Sequence, residues 1–298
     1  MSHTGPETSS YTVHGNRIEA ARWAPGLHIV ATPIGNLGDI TVRALETLSS
    51  ADLIACEDTR VTAKLLRHYG IHVPTVAYHD HNAARRRPEL LEALAQGRMI
   101  ALVSDAGTPL VSDPGYRLVR ETIDAGHPVT ALPGASALLA GLAIAGLPSD
   151  TFLFAGFLPP KTVGRRKRLE TFVAVPATLV FYEAPQRLAE SLADMAAVLG
   201  DREAVVAREL TKRFEERAGD RLAGLAVRYA QSGPPKGELV VLVAPPGDEA
   251  PGEEEIETTL RRLMETESVS RAAALAADAT GLPRKELYRR ALAIAGRG

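Results

Sequence analysis

The sequence predicts an α/β protein: two α/β domains with a ligand cleft between them, followed by a small helical segment at the carboxyl end. Three observations carry this. Five short apolar runs alternate with helix-patterned segments between residues 27 and 145, the rhythm of a parallel, doubly wound sheet. The unusual residues follow the ends of those runs and do not precede them, which is where open parallel sheets bind ligands. After residue 151 a second set of strands and helices begins, and from residue 253 the pattern is helical alone.

Taken in order, residues 1–25 are rich in Ser, Thr, Gly, Pro and His, lack the apolar core of a signal peptide, and read as a disordered arm. Strands are predicted at 27–32, 52–56, 73–78, 99–103 and 128–132, with helices at 41–50, 61–69, 85–96, 116–125 and 137–145. Asp39 or Thr41 would cap the first helix, and Gly70 would stop the second. The fourth strand runs into Ser104-Asp105-Ala106-Gly107-Thr108-Pro109 and on through Gly115, a polar loop longer than an ordinary strand–helix connection. Glycine there lets backbone approach a ligand, and the prolines fix the turns. These elements make up an amino-terminal domain, 26–132, and the head of a second, 133–246. The second domain continues with strands at 151–156, 178–182, 204–208 and 238–243, helices at 188–199 and 222–229, and a basic run from Lys161 to Arg168. A Pro/Gly linker leads to a tail, 252–298. Its helices at 253–266, 270–279 and 284–295, with a Gly-containing turn before a basic last helix, have either a helix-turn-helix outline or that of a helical hairpin packed on the core.

Composition narrows the class. The formal net charge is −2, so nucleic-acid binding would have to come from local patches. The single cysteine, Cys56, sits in an apolar strand; it rules out an intrachain disulfide and fits a cytosolic, reducing compartment. No run approaches the roughly 20 apolar residues that span a bilayer. Pro33-Ile34-Gly35-Asn36-Leu37-Gly38-Asp39 lacks the spacing of a dinucleotide fingerprint, and neither a P-loop nor a Gly-x-Ser-x-Gly elbow is present. His79-Asp80-His81 has no clean set of further ligands, which favours a solvated loop over a metal site.

The segment 33–41, Ala55-Cys56-Glu57-Asp58-Thr59-Arg60, 104–115, Leu132-Pro133-Gly134-Ala135-Ser136-Ala137 and Phe181-Tyr182-Glu183-Ala184-Pro185-Gln186-Arg187 together resemble the ribosomal RNA small subunit methyltransferase I family, a branch of the tetrapyrrole-methylase, or class III, methyltransferases. The resemblance covers residues 27 to 295. It implies a tetrapyrrole methylase-like fold, S-adenosylmethionine as methyl donor, the 2′-hydroxyl of a cytidine in 16S ribosomal RNA of the 30S subunit as acceptor, and a homodimer. Carried over residue by residue, it places cofactor contacts on Pro33, Ile34, Asp105, Gly107, Thr108, Leu110, Ser136, Ala137 and Tyr182.

A ribose hydroxyl is a poor nucleophile until a base takes its proton or a cation stabilises the alkoxide. Glu57, Asp58 and Arg60 at a strand end are candidates: a carboxylate to orient or deprotonate the hydroxyl, the guanidinium to hold a phosphate. The competing assignment has Asp58 capping the next helix and Arg60 paired with Glu57. Three basic clusters could hold RNA: Arg85 and Arg86 with Arg87; Arg165, Arg166, Lys167 and Arg168; and Arg284 and Lys285 on the last helix. A small-molecule methylase acting on a tetrapyrrole, or a non-catalytic RNA-binding assembly factor, are the alternatives.

Overall fold

The computed structural model describes residues 9–111, 115–247, 253–264, 267–280 and 282–296. Ser112, Asp113 and Pro114 of the long loop, the 248–252 part of the linker, residues 1–8 of the arm and Thr266 lie outside the described residues. The chain divides into two units, 1–246 and 247–298.

The amino-terminal segment differs from the expected disordered arm. β1 (Ser10–Val13) and β2 (Asn16–Glu19) pair antiparallel around His14 and Gly15, both at positive φ, as a tight two-residue hairpin turn requires. Tyr11 supplies the reason: only 1% exposed, it joins an apolar cluster with Leu45, Leu48 and Tyr69. Val13 and Ala20 pack against the same cluster, and the Thr12 N–H donates to the Tyr69 carbonyl at 2.7 Å, so a segment whose composition looks like a tail is anchored on the first domain.

The first sheet contains β3 (Gly26–Val30), β4 (Leu53–Cys56), β5 (Thr75–Ala77), β6 (Met99–Val103) and β7 (Val129–Leu132), ordered β5-β4-β6-β3-β7 and parallel throughout. α1 (Val42–Ser50) and α2 (Thr59–His68) cover one face, with Leu48 and Leu65 packing on Val30 and Val103. α3 (Ala83–Ala95) and α4 (Tyr116–Asp124) cover the other, with Leu94 and Leu118 on Ile29 and Leu102. Strands covered on both faces read as continuous apolar runs, which is why β6 could be bounded from the sequence. Thr41, not Asp39, caps α1: its hydroxyl accepts from the Ala44 N–H at 3.1 Å.

α5 (Ala137–Ala145) crosses to the second sheet. That sheet holds β8 (Phe152–Phe157), β9 (Thr178–Glu183), β10 (Glu203–Arg208), β11 (Glu216–Arg221) and β12 (Leu239–Val243), ordered β11-β10-β12-β9-β8. Only β8 and β9 pair in parallel; the others alternate in direction. α5 packs Leu142 and Ala145 on one face, and α6 (Thr162–Glu170), α7 (Leu188–Leu199) and α8 (Leu222–Ser232) cover the other. β11, with the sequence ERAGDR, has no apolar alternation to announce it; it is a charged edge strand with only Ala218 buried. In the second unit, α9 (Glu253–Met264), α10 (Val269–Thr280) and α11 (Arg284–Ile294) bury Ile256, Leu260, Ala273, Ala276, Leu287 and Ala291 in a core of their own. Among the described residues no helix is long and apolar enough to cross a membrane.

The basic run on α6 requires a correction. Arg165, expected on an RNA-facing surface, is 1% exposed. Its Nε donates to Asp194 Oδ2 at 2.6 Å, and its guanidinium also reaches Thr162 Oγ1 and the Pro160 carbonyl. Arg166 donates to the other oxygen of Asp194 at 2.6 Å. Helical pitch turns Arg165 inward between neighbours that face out, and burial of an arginine requires an anion and further acceptors, which α7 provides. Asp194→Ala strands a buried guanidinium, so it is expected to cost about 3–5 kcal/mol in urea unfolding. Arg165→Met combined with Asp194→Leu is expected to recover most of that loss.

Candidate functional site

The site forms where the first sheet changes winding direction. β3 and β6 are neighbours, yet α1 and α4, which follow them, pack on opposite faces. Divergent connections from adjacent parallel strands open a crevice at their carboxyl ends. The two loops meet across it: the Thr32 N–H donates to the Gly107 carbonyl at 2.9 Å, and the Gly107 N–H to the Thr32 carbonyl at 3.0 Å. Gly107 has φ +80°, and a Cβ there would stand 3.3 Å from Ile34 Cγ2, so glycine suits both the turn and the close approach.

Between this bridge and the second sheet lies a cavity of about 370 Å³. The first sheet contributes Ile34, Gly107 and Thr108, and the start of α5 contributes Ser136 and Ala137. The second sheet contributes Phe157, the end of β9 from Tyr182, and Gly237 to Leu239 at the entrance to β12. Thr108 Oγ1 donates to the Ala135 carbonyl at 3.3 Å, tying the long loop to the head of α5. Ser136 holds the N-cap position of α5 without making a side-chain capping bond. The helix therefore opens toward the cavity with N–H groups its own cap does not satisfy. The Tyr182 ring is set edge-on by Phe154 and Phe157, with centroids 4.8 and 5.6 Å away.

The charged side chains lining this cavity, among the described residues, are both carboxylates: Glu183 and Glu238. Glu183 is buried and neutralised. It accepts from Arg187 Nε at 2.8 Å, from Arg187 Nη2, from the Ala184 N–H at 2.8 Å and from Ser191 Oγ at 2.5 Å. Glu238 is arranged differently. Its carboxylate takes Lys212 Nζ at 2.9 Å, and that ammonium is shared with Glu209 at 2.8 Å. Burial works against the Lys212 ammonium, but the two carboxylates outweigh it and raise its pKa, while Lys212 holds Glu209 below the usual carboxylate range.

Tight packing holds this arrangement in place. Glu209 and Thr211 have φ of 51° and 65°, left-handed values that cost about 1–3 kcal/mol for a branched residue such as Thr211. A Cβ on Gly237 would overlap the Glu209 carboxyl group. The Lys212 stem crosses the first-sheet loop at Gly35, where a Cβ would overlap its Cγ.

Of the nine residues expected to contact a cofactor, Ile34, Gly107, Thr108, Ser136, Ala137 and Tyr182 line the cavity. Pro33 and Asp105 line a smaller space of about 170 Å³ with Thr62 and Lys64. There Asp105 Oδ1 accepts the Asp58 N–H at 3.0 Å. Leu110, at φ 75°, packs toward the α3–α4 core beside Gly115. Glu57, Asp58 and Arg60 line neither space. Asp58 caps α2 through the Arg60 N–H at 2.8 Å, as the capping alternative has it, but the carboxylate that pairs with the Arg60 guanidinium, at 2.6 Å, is Asp58 itself where that alternative named Glu57. The bonds from Arg60 hold the Asp58 carboxyl at about 2, which leaves it a weak base. Burial pushes the Cys56 thiol pKa up, consistent with core packing.

The basic clusters divide. Arg85, Lys167 and Arg168 are exposed, while Arg86 pairs with Glu89 at 2.7 Å. On α11, Arg284, Lys285 and Arg289 are exposed around Tyr288, itself 41% exposed. Glu238 and Lys212 were missed from sequence. The rule that ligands gather at carboxyl ends of strands applies to parallel strands; β12 runs antiparallel to β9, so its amino end reaches the same edge. The Gly237-Glu238 pair just before an apolar strand was the available signal.

Residues 26–226 match the profile of the Tetrapyrrole (Corrin/Porphyrin) Methylases, and residues 250–295 match the RsmI C-terminal HTH domain. The ribosomal RNA small subunit methyltransferase I of Mesorhizobium japonicum is 55% identical over 278 residues, covering 93% of this chain and 95% of that protein. The protein of the same name from Pseudomonas aeruginosa is 48% identical, covering 91% and 98%. The chain belongs to the ribosomal RNA small subunit methyltransferase I family. The fold of that family is visible in solved structures of more distant sequence. Diphthine synthase superimposes with TM-score 0.56 at 19% identity over 73% of this chain and 89% of its own. Uroporphyrin-III C-methyltransferase from Thermus thermophilus, complexed with S-adenosylhomocysteine, superimposes with TM-score 0.53 at 23% identity over 73% and 96%.

The packing of Lys212 on Gly35 is testable by coupling. Gly35→Ala is expected to destabilise the chain by about 1–3 kcal/mol through overpacking on the Lys212 stem together with backbone strain at φ +157°. Lys212→Ala, which also removes the ion pairs to Glu209 and Glu238, is expected to cost at least about 1 kcal/mol less in the Gly35→Ala background than by itself, read from urea midpoints. Purely additive losses would mean that the two loops do not press on each other.

Proposed function

We propose that this chain transfers a methyl group from S-adenosylmethionine to the 2′-hydroxyl of a cytidine ribose in the 16S ribosomal RNA of the small subunit. The observation that carries the cofactor assignment is the charge of the cavity wall: its charged side chains are carboxylates, and no lysine or arginine lines it among the described residues. That suits a cationic ligand and disfavours a phosphate-bearing one. Its size falls within the range of small-molecule and cofactor sites. Family membership supports ribosomal RNA as the acceptor.

When bound, S-adenosylmethionine supplies an electrophilic methyl group on a positively charged sulfur. The chain's contribution is positioning and exclusion of water. Ile34, Phe157 and Tyr182 offer an apolar wall for an adenine ring, and Gly107 allows close backbone approach beside Ile34. Ser136 and the first turn of α5 offer donors to a carboxylate. Glu183, fixed by Arg187 and Ser191, keeps the end of β9 rigid. The exposed Arg284, Lys285 and Arg289 with Tyr288 on α11 form a cationic and aromatic surface suited to RNA phosphates and an unstacked base. Arg85, Lys167 and Arg168 add exposed positive charge in the first unit. A homodimer is part of the same proposal; Leu139, 54% exposed on the wholly apolar α5, offers surface for it.

Incubation with labelled S-adenosylmethionine and purified 30S subunits is expected to place label on one cytidine and to make its 3′ phosphodiester resistant to alkaline hydrolysis. Label on a base, or none despite cofactor binding, would refute the 2′-hydroxyl assignment. Replacing Arg284, Lys285 and Arg289 together by Ala is expected to flatten the slope of log affinity against log salt by about 2, at roughly 0.7 for each phosphate no longer neutralised.

A further inference from the structure

Methyl transfer removes the positive charge of the donor: the carbon–sulfur bond breaks with its electron pair staying on sulfur, a carbon–oxygen bond forms to the ribose hydroxyl, whose proton leaves to solvent, and a neutral thioether remains. A charged group in the cavity wall therefore weighs differently on donor and product. Resting on the cofactor assignment above, we infer that Glu238 makes the cavity prefer the cationic donor to the spent thioether product, and that Lys212 sets the strength of that preference.

The two lining carboxylates are not equivalent. Glu183 is 3% exposed, and its charge is cancelled by Arg187 with further donors from Ser191 and Ala184. The Glu238 side chain is 73% exposed at the cavity rim, and its cationic partner is Lys212, already engaged by Glu209. Of the other cations nearby, Arg208 is paired with Glu216 at 2.7 Å, Arg213 lies over the Phe214 ring at 5.5 Å, and Lys236 is exposed. Within the ion-paired group itself, two carboxylates against one ammonium leave a net negative charge. The group is also fixed. The Glu238 N–H donates to Glu209 Oε1 at 3.1 Å, the Glu209 N–H donates to the Glu238 carbonyl at 3.0 Å, and the Lys212 stem is pressed against Gly35. A charge held at a rim acts on the ligand without reorganising first. Removing it changes the preference for a cation, and removing its counter-ion changes that preference in the opposite direction. A unit charge several ångströms away in a partly hydrated site amounts to a threefold to tenfold effect.

The test is calorimetric titration of the full-length protein with S-adenosylmethionine and, separately, S-adenosylhomocysteine, expressed as the ratio of the product's Kd to the donor's. Glu238→Gln is expected to lower this ratio threefold to tenfold, Lys212→Met to raise it, and Lys212→Arg to leave it at the wild-type value. A general loosening of the cavity weakens both ligands and cancels in the ratio. Ratios within twofold of wild type for both Glu238→Gln and Lys212→Met would overturn the inference, and a fall with Glu238→Gln without a rise with Lys212→Met would overturn the part assigned to Lys212. Wild-type protein that binds neither compound would instead refute the cofactor assignment, before any substitution is made.

Discussion

Two backbone hydrogen bonds between Thr32 and Gly107 organise the site. They join the loops that leave β3 and β6, neighbouring strands whose following helices pack on opposite faces. Without that link the crevice between diverging connections would have no common floor. With it, Ile34, Gly107 and Thr108 face the second sheet, while Pro33 and Asp105 line a separate, smaller space. The link depends on glycine, because the loop turns through positive φ beside a branched apolar side chain.

The second constraint is charge. A buried ion is tolerated only when paired, and this chain pairs its buried and half-buried ions in distinct ways. Arg165 is locked to Asp194 inside the α6–α7 face, a structural role. Glu183 is locked to Arg187 at the cavity wall, which keeps the end of a strand in place. Lys212 is divided between two carboxylates and also spans from one sheet's loop to the other's. The same kind of interaction thus serves as ballast in one place and as part of a binding surface in another. The difference is whether a carboxylate remains near solvent, as Glu238 does.

Much of the fold was legible because burial on both faces of the first sheet leaves uninterrupted apolar strands, and β6, α5 and α7 begin and end where their patterns do. The hairpin of β1 and β2 and the strand β11 were not, since one depends on packing of Tyr11 and its neighbours against residues distant in sequence and the other on pairing with β10. At the site, the first-sheet loops and Tyr182 were recognisable by turn chemistry and family motifs. The catalytic candidates were not decided that way: Asp58 and Arg60 suit a cap and a local ion pair as well as they suit catalysis, and side-chain geometry gave the cap.

The amino-acid sequence alone determined the α/β class, the family and the loops that meet at the switch point, because periodicity and turn residues act over a few neighbours and are written locally. Tertiary structure alone decided that Arg165 faces inward while Lys167 and Arg168 face out, that the amino end of β12 shares an edge with the carboxyl end of β9, and that Lys212 lies over Gly35. Each of these follows from strand direction or from packing between residues far apart in the chain, and spacing along a sequence does not carry that information.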